Sequence, residues 1–232
     1  KKNPREAGIA VDSPGGLGGA PTLEVDITDY GYRYFGVRPL GEKETYVRGY
    51  HFVMPFTQLR PPSSDIKQVH GHFWVPMDDE TCMVWNWKYS YGDEPISEQV
   101  RKGAAGGNAY GSHVDVEHGF KSIRNRANDW MIDRDMQKTD TYTGVNGVNQ
   151  QDRAVQESMG PIVDRRREHL GPADAAIIAT RKLLLEAVDI VKDNGDPPGT
   201  SPSYYDIRSA ERVLAKEVDW RGELMPLMHP ET

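Results

Sequence analysis

The first clear pattern along the chain is an alternation of apolar and polar side chains shortly after position 20. Its members are Leu23, Glu24, Val25, Asp26, Ile27 and Thr28. This period of two predicts a strand that buries one face. Runs rich in aromatic and β-branched residues predict four more strands over residues 32–37, 46–53, 70–75 and 82–89. The connections are short, with a hairpin turn at Gly41-Glu42-Lys43, so antiparallel pairing is the simplest topology.

The C-terminal part of the chain changes to a helical period. One apolar stripe contains Ala176, Ile177, Thr180, Leu184, Ala187, Val188 and Val191. The stripe predicts a helix over residues 173–193 that ends at Asn194-Gly195. Weaker helical signals cover residues 151–159, 161–169 and 204–216. Strands followed by helices predict an α+β fold, with a curved antiparallel β-sheet packed on a long C-terminal helix in a helix-grip arrangement.

The organisation of the chain follows from its length and its glycine content. The 232 residues suffice for one sizeable domain with its own core. Residues 1–20 are rich in Gly and Pro and are predicted to form a loop or arm, so the domain itself is expected over residues 21–232. A further flexible stretch is predicted at residues 103–107, which are all Gly or Ala.

Charge and cysteine content narrow the function. The formal net charge of -7 gives nucleic-acid binding no electrostatic support. No run of 18 apolar residues occurs, so no membrane span is predicted. The single cysteine, Cys82, allows no disulfide within the chain, which favours a reducing cytoplasm. It also excludes a complete iron–sulfur site here, because even the mixed Cys/His cluster needs two cysteines.

The most distinctive local string is a Gly/Asn-rich loop at residues 144–150 that leads into Asp152. An acidic residue at the start of a helix accepts backbone N–H bonds and complements the helix dipole, so a capping role explains it well. A carboxylate at the end of such a loop is also a candidate metal ligand. The residues alone leave both interpretations open and favour the cap.

Several strings together resemble the phthalate-dioxygenase-like group of Rieske non-haem-iron oxygenases. The strings are DYGYRY at 29–34, WVPMDD at 74–79, NDWMIDR at 128–134, QDRAVQESMGPI at 151–162 and EHLGPAD at 168–174. The resemblance extends over residues 21–222, and the combination is specific although no single string is. It identifies the chain as the C-terminal portion of the family's non-haem iron catalytic domain.

The resemblance implies a concrete chemistry. Such enzymes hold a mononuclear Fe(II) with two His and one carboxylate and leave positions open for O2. The carboxylate role falls on Asp152. The implied reaction hydroxylates or O-demethylates an aromatic, carboxylated substrate with O2 and electrons that a reductase supplies through a [2Fe-2S] Rieske cluster. The implied assembly is a trimer or hexamer.

The resemblance also implies what this chain lacks. The family's two iron-binding His, spaced His-x4-His, and its Rieske domain all belong to the part upstream of the first strand predicted here. This chain is therefore expected to be incomplete as an oxygenase by itself. The expected partner is a chain or segment that carries the Rieske domain and both His ligands.

Other residues are candidates for the substrate pocket. His70 and His72 lie on one face of a predicted strand, and pocket lining is the favoured interpretation, ahead of core packing and metal binding. Asn146 and Asn149 would orient the metal site or support turns. The tryptophans Trp74, Trp85 and Trp87 are expected in the core or the pocket wall. If the substrate is an acid, one guanidinium among Arg33, Arg38 and Arg48 is expected to point inward, although pairing with Glu24, Asp26 or Glu44 is the simpler interpretation for each.

Two alternative functions remain open. The first is a helix-grip module that binds a small ligand without turnover. The second and weaker one is a 2-oxoglutarate-type Fe(II) oxygenase that uses His113, Asp115 and His169, with Arg181 for the co-substrate. His113 and His118 also imitate the His-x4-His spacing, but the neighbouring glycines disfavour a helix there.

Overall fold

The computed structural model describes residues 20–62, 67–103 and 113–229. They form two compact units, one spanning Glu94–Arg167 and the other combining the residues up to Asp93 with those from Glu168 onward. The predicted arm at 1–20, apart from its last residue, and most of the predicted flexible stretch at 103–107 lie outside the described residues.

The second of these units is built on an antiparallel sheet. Its strands are β1 (Thr22–Thr28), β2 (Gly31–Leu40), β3 (Glu44–Val53), β4 (Thr57–Arg60), β5 (Gln68–Pro76), β6 (Cys82–Ser90) and β9 (Ala210–Ala215). Strands β1 to β6 follow one another in order, and β9 pairs with β3 beside β4. The unit's helices are α4 (Ala175–Lys192) and α5 (Trp220–Met228). The structure confirms the α+β prediction, including the hairpin turn between β2 and β3.

One face of the sheet packs on the long helix α4. Tyr32, Phe52 and Leu183 form a buried cluster at this contact. The Tyr32 hydroxyl lies 2.8 Å from Thr180 Oγ1. Because Thr180 donates its own proton to the Ala176 carbonyl, Tyr32 is the donor to Thr180. This bond joins the middle of the helix to the sheet.

The opposite face packs on α5. Phe35 and Val47 from the sheet meet Leu224 and Met228 from the helix, and all four are fully buried. Strand β3 has no side chain at Gly49, where an added Cβ would lie 2.2 Å from Met228 Sδ. The glycine therefore allows the helix to approach the strand closely. Strand β3 is covered on both faces within this unit.

Two of the helical predictions are wrong, and one helix was missed. Residues 204–216 form no helix: they follow a 3-10 turn at Pro202–Tyr204 and contain strand β9. Residues 161–169 contain only a 3-10 turn at Arg165–Arg167. Helix α5 was not predicted. The apolar stripe did locate α4 correctly, and a 3-10 turn at Pro172–Asp174 leads into it.

The unit at Glu94–Arg167 contains short elements. They are α1 (Glu98–Gly103), β7 (Val114–Asp115), β8 (Lys121–Ser122), a 3-10 segment (Arg126–Met131), α2 (Arg134–Thr139) and α3 (Val148–Ser158). Three consecutive non-glycine residues in the 3-10 segment, Asp129 to Met131, have φ near 50°. This conformation is unfavourable for L-residues, so neighbouring contacts must hold it.

Two contacts hold the strained segment. Arg124 Nη1 donates to the carbonyls of Trp130 and Met131 at 2.9 and 2.8 Å. The buried Trp130 donates its indole N–H to Glu157 Oε2 at 2.9 Å. The second bond ties the strained segment to helix α3.

A fully buried histidine fixes the region where β3 meets the C-terminal segments. His51 Nε2 lies 3.0 Å from the Arg208 carbonyl, which only accepts, so Nε2 carries the proton. His51 Nδ1 then accepts from the Tyr30 hydroxyl at 2.8 Å. Burial, reinforced by the neighbouring His229, lowers the pKa of His51 to about 3, and burial raises the pKa of Tyr30 to about 12. Both groups are therefore neutral in the folded protein at pH 7.

We predict that the protein loses stability as the pH falls, partly through His51. The unfolded chain takes up a proton on this side chain near pH 6.5, whereas the folded chain does not until the pH approaches 3. The free energy of unfolding should thus fall by up to about 1.4 kcal/mol per pH unit for this group between pH 6 and pH 4. Denaturant titrations across that range measure the slope.

The substitution His51→Gln should make this slope shallower, whatever it does to stability at pH 7. His169→Gln, at an exposed position, is the matched control and should leave the slope unchanged. An equal slope in wild type and His51→Gln would contradict the neutral, buried state of His51.

Candidate functional site

Asp152 lies in the middle of helix α3. The helix begins earlier than predicted, with Gly147 as its N-cap, so Asp152 is the fifth residue of Val148–Ser158. The predicted capping role of Asp152 is therefore wrong. The error arose because the loop is shorter than its Gly/Asn content suggested.

A glycine fixes the loop before this helix. Gly144 has φ +64°, and an added Cβ would lie 2.4 Å from the Asp133 carbonyl oxygen. The Gly144 carbonyl accepts from the Asp133 amide at 2.9 Å. Asp133 in turn caps helix α2 through hydrogen bonds from the Asp135 and Met136 amides. Only glycine fits this contact, which sets where α3 starts.

The Asp152 carboxylate is without a partner in the ranges that the structure describes. It is exposed and makes no hydrogen bond or ion pair with the part of the chain that the structure describes. Nearby protein atoms nevertheless remove part of its hydration, which raises its pKa. A carboxylate in this state retains all its acceptor positions for a cation.

The residues next to Asp152 also carry unsatisfied polar atoms. Gln150 is buried, and its Oε1 has no hydrogen-bond donor among the described residues. The Arg153 Nη1 is likewise buried without an acceptor. Asn146 is exposed and Asn149 is half-buried, and neither side chain bonds to another described residue. Buried polar groups normally have partners, so this helix carries unused hydrogen-bonding capacity beside its acidic residue.

A second polar patch lies in the other unit, on the α4 face of the sheet. Register places Gln58 beside Phe52 and His72, and Arg60 beside His70, so these side chains share that face. Gln58 Nε2 donates to the Tyr34 hydroxyl. Tyr34 stacks on Tyr50 with ring centroids 4.5 Å apart, and Arg48 lies over the Tyr50 ring. The patch therefore combines aromatic surface with basic groups, and we call it the basic patch (Arg48, Arg60, His70 and His72).

The basic patch is electrostatically unbalanced. Loss of hydration, then the charges of Lys88 and Arg60, lower the pKa of His70 to about 4. Loss of hydration also lowers the pKa of His72, and Arg60 adds to the effect. Arg48 is paired with Glu211 at 2.8 Å. Arg60 has no ion pair or hydrogen bond within the described ranges, so a positive charge there is uncompensated.

The predicted site residues fall into two groups. Asp152, Asn146 and Asn149 belong to the unit at Glu94–Arg167, whereas His70 and His72 belong to the unit built on the sheet. Among the residues that the structure describes, no three His, Cys, Asp or Glu side chains converge as a metal site.

The alternative iron motifs are not assembled in the described structure. His118 is exposed and pairs with Asp115, with 2.7 Å between Nδ1 and Oδ2. His169 is also exposed, and it lies in the other unit from His113 and Asp115. Arg181 forms a bidentate ion pair with Glu168 at 2.6 and 2.8 Å, so its guanidinium group already has a carboxylate partner.

The predictions for the arginine and tryptophan side chains have different outcomes. Arg33 pairs with Asp26 at 3.0 Å, as the simpler interpretation expected. Arg48 lies on the basic patch. Trp87 is half-buried and lines a cavity, but Trp74 and Trp85 are 36% and 51% exposed, which corrects their assignment to core or pocket wall. Both lie on the β5–β6 hairpin at the edge of the sheet, where nothing described covers them.

Sequence reasoning missed Arg60 and Glu157. Arg60 ends strand β4, whose four residues are too few to show a period, and only the register places it beside His70. Glu157 gives no sequence signal for its bond to Trp130, because the two are 27 positions apart.

Comparison with known proteins is consistent with this arrangement. Residues 16–226 match the family model described as "LigXa C-terminal domain like". The chain is 32% identical over 213 residues to the 3-chlorobenzoate-3,4-dioxygenase oxygenase subunit of Comamonas testosteroni, covering 87% of this chain and 49% of that protein. It is also 32% identical over 208 residues to the phthalate 4,5-dioxygenase oxygenase subunit of Pseudomonas putida, covering 87% and 46%.

These matches place the chain among the C-terminal catalytic domains of Rieske-type oxygenases. It belongs to the LigXa C-terminal domain-like family. The resemblance that the sequence strings indicated is confirmed. The chain spans about half the length of the curated relatives it matches. In the described residues, no helix combines the length and the apolar character that crossing a bilayer requires.

We predict that Asp152 contributes nothing to the folding of this chain, in contrast to Glu157 on the same helix. Asp152→Ala removes no hydrogen bond and should leave the free energy of unfolding within about 0.5 kcal/mol of wild type. Glu157→Ala leaves the Trp130 indole N–H unpaired and should cost about 1–3 kcal/mol. Denaturant unfolding of the two variants gives the comparison.

A large loss of stability in Asp152→Ala would mean that the carboxylate has a structural partner. Equal stability of Glu157→Ala and wild type would mean that the Trp130 bond does not hold the strained segment.

Proposed function

We propose that this chain is the iron-binding catalytic portion of a Rieske oxygenase that acts on an aromatic carboxylate. Membership of the family carries the proposal, and the unpaired carboxylate of Asp152 supports it at the residue level. The reaction hydroxylates or O-demethylates the aromatic substrate with O2 and electrons from a reductase. The finer choice between these reactions depends on the substrate.

Asp152 would be the carboxylate ligand of a mononuclear Fe(II). Carboxylate oxygen is one of the three donors of the two-His, one-carboxylate site, and the acceptor positions of Asp152 are unused among the described residues. When bound, the iron supplies the centre at which O2 is activated. Both His ligands and the [2Fe-2S] cluster would come from a segment or partner chain outside this sequence. Asn149 lies three residues before Asp152 on the same side of the helix and would help to orient the ligand.

The basic patch would hold the carboxylate of the substrate. Arg60 offers a guanidinium fork with no acid paired to it in the described chain, and His70 and Arg48 lie on the same face. Tyr34 and Tyr50 supply aromatic surface next to these charges. The names of the two relatives refer to 3-chlorobenzoate and phthalate, which are both aromatic acids. A substrate of that class needs a charged anchor and a flat apolar wall, and the patch provides both.

The partners follow from the same proposal. The oxygenase would receive electrons from a separate reductase and would assemble as a trimer or hexamer in the cytoplasm. No nucleic acid or membrane takes part. The relatives are oxygenase subunits, which fits a system of several components.

We predict that Asp152→Ala removes the mononuclear iron from the assembled oxygenase. One of three ligands is lost, so the metal affinity should fall by at least tenfold. Metal analysis should show less iron, while the visible absorption of the Rieske cluster should stay at the wild-type level. Asp164→Ala, at another exposed acid of the same unit, is the control and should retain all iron.

Other results would favour other functions. Full iron retention in Asp152→Ala would remove Asp152 from the site. Loss of iron on substitution of His113 or His118 would mean that the ligands lie within this chain. A particle that binds an aromatic ligand with no iron under any condition would support the binding module without turnover.

We predict that Arg60→Gln weakens the binding of an aromatic acid. A charge-assisted hydrogen bond is worth about 1.5–3 kcal/mol, so KM for benzoate-type substrates should rise roughly tenfold to a hundredfold. Steady-state oxygen consumption by the complete enzyme system measures this. Arg212→Gln is the matched control, because register places Arg212 beside Val47 on the opposite face of the sheet.

The charge of the substrate provides a further check on Arg60. A neutral methyl ester of the same acid should lose little in the Arg60→Gln variant. An equal rise in KM for the acid and the ester would argue for a general distortion of the pocket rather than recognition of the carboxylate.

A further inference from the structure

A cavity lies in the sheet-based unit on the face away from helix α4. Its volume is about 580 Å3, which is in the range of small-molecule sites. The wall combines the turn at Met54 to Phe56 with side chains of β4, β5 and β6 and with the segment before β9. Among the residues that the structure describes, no Asp, Glu, Lys, Arg or His lines it. It is separate from the basic patch, because strand residues that face the two sites alternate along β5.

Aromatic rings form a large part of the wall. Phe73 and Trp87 have ring centroids 5.3 Å apart, and Trp87 and Tyr89 are nearly parallel, at 5.8 Å and 10°. Tyr204 and Tyr205 face each other edge-on at 5.1 Å on the other side. These rings offer flat surface and exposed edges, which are the two geometries in which aromatic groups pack favourably.

The position of Trp87 is fixed by the absence of a side chain at Gly71. A Cβ there would lie 2.0 Å from Trp87 Cζ2, so the indole rests against bare backbone. Its Nε1 is buried within the protein, out of contact with solvent, and has no acceptor among the described residues.

We propose that this cavity is a second ligand site, selective for an uncharged aromatic molecule. The aromatic wall accounts for the ring. The absence of charged lining residues among those that the structure describes accounts for the selectivity, since a carboxylate would lose its hydration here without gaining a cation. The site thus differs from the basic patch in the charge of the ligand it takes, and it does not depend on iron.

Methyl benzoate and benzoate test the proposal, because they share a ring and differ in charge. Saturation-transfer NMR and calorimetry on the full chain carrying Arg60→Gln, which removes the proposed substrate anchor, should detect saturable binding of methyl benzoate, with benzoate at least tenfold weaker. Thr57→Trp places a bulky ring in the cavity, and Tyr205→Ala removes part of its wall. Each variant should raise the Kd for methyl benzoate at least tenfold.

The controls separate this site from the rest of the surface. Thr22→Trp and Tyr142→Ala make the same substitutions at exposed positions that do not line the cavity, and they should leave the Kd unchanged. Arg60→Gln should also leave methyl benzoate binding unchanged, which distinguishes this site from the proposed substrate anchor. The proposal is overturned if methyl benzoate does not bind, if Thr57→Trp and Tyr205→Ala both bind it as wild type does, or if benzoate binds there equally well.

Discussion

The architecture of the sheet-based unit depends on strand β3, which must bury both of its faces. Its successive side chains alternate between two different partners: Phe52 packs with α4, while Val47 packs with α5. The strand also pairs with β2 along one edge and with β4 and β9 in succession along the other. Both helices and three other strands therefore depend on one segment of ten residues. A shift of its register by one residue would exchange the two faces.

His51 shows how polar groups are accommodated within this strand. A buried imidazole is tolerated only because both ring nitrogens have partners, Tyr30 on one side and the Arg208 carbonyl on the other. The two bonds hold the turn before β2 and the segment before β9 against β3. That segment also contains Tyr204 and Tyr205, which line the cavity described above. The hydrogen bond of His51 to the Arg208 carbonyl therefore helps to position this wall of the cavity.

Sequence periodicity located the elements that carry a regular apolar pattern of their own. The strand at Thr22–Thr28 and the helix at Ala175–Lys192 have regular apolar patterns and were predicted closely. Strand β9 was mistaken for a helix because its residues, Ala210–Ala215, are good helix formers. Its strand conformation comes from pairing with β3, which lies more than 160 positions away. A local pattern contains no information about such a partner.

For the candidate site too, the sequence revealed one part and the structure another. Asp152 was proposed from a family string, and its chemical state became visible only in the structure, where it has no partner among the described side chains and its pKa is raised. An iron site of three ligands cannot be completed from one helix, because a single carboxylate binds a divalent cation weakly in water. In the proposed iron site, most of the affinity would therefore arise when His ligands from another segment converge on the same ion as Asp152.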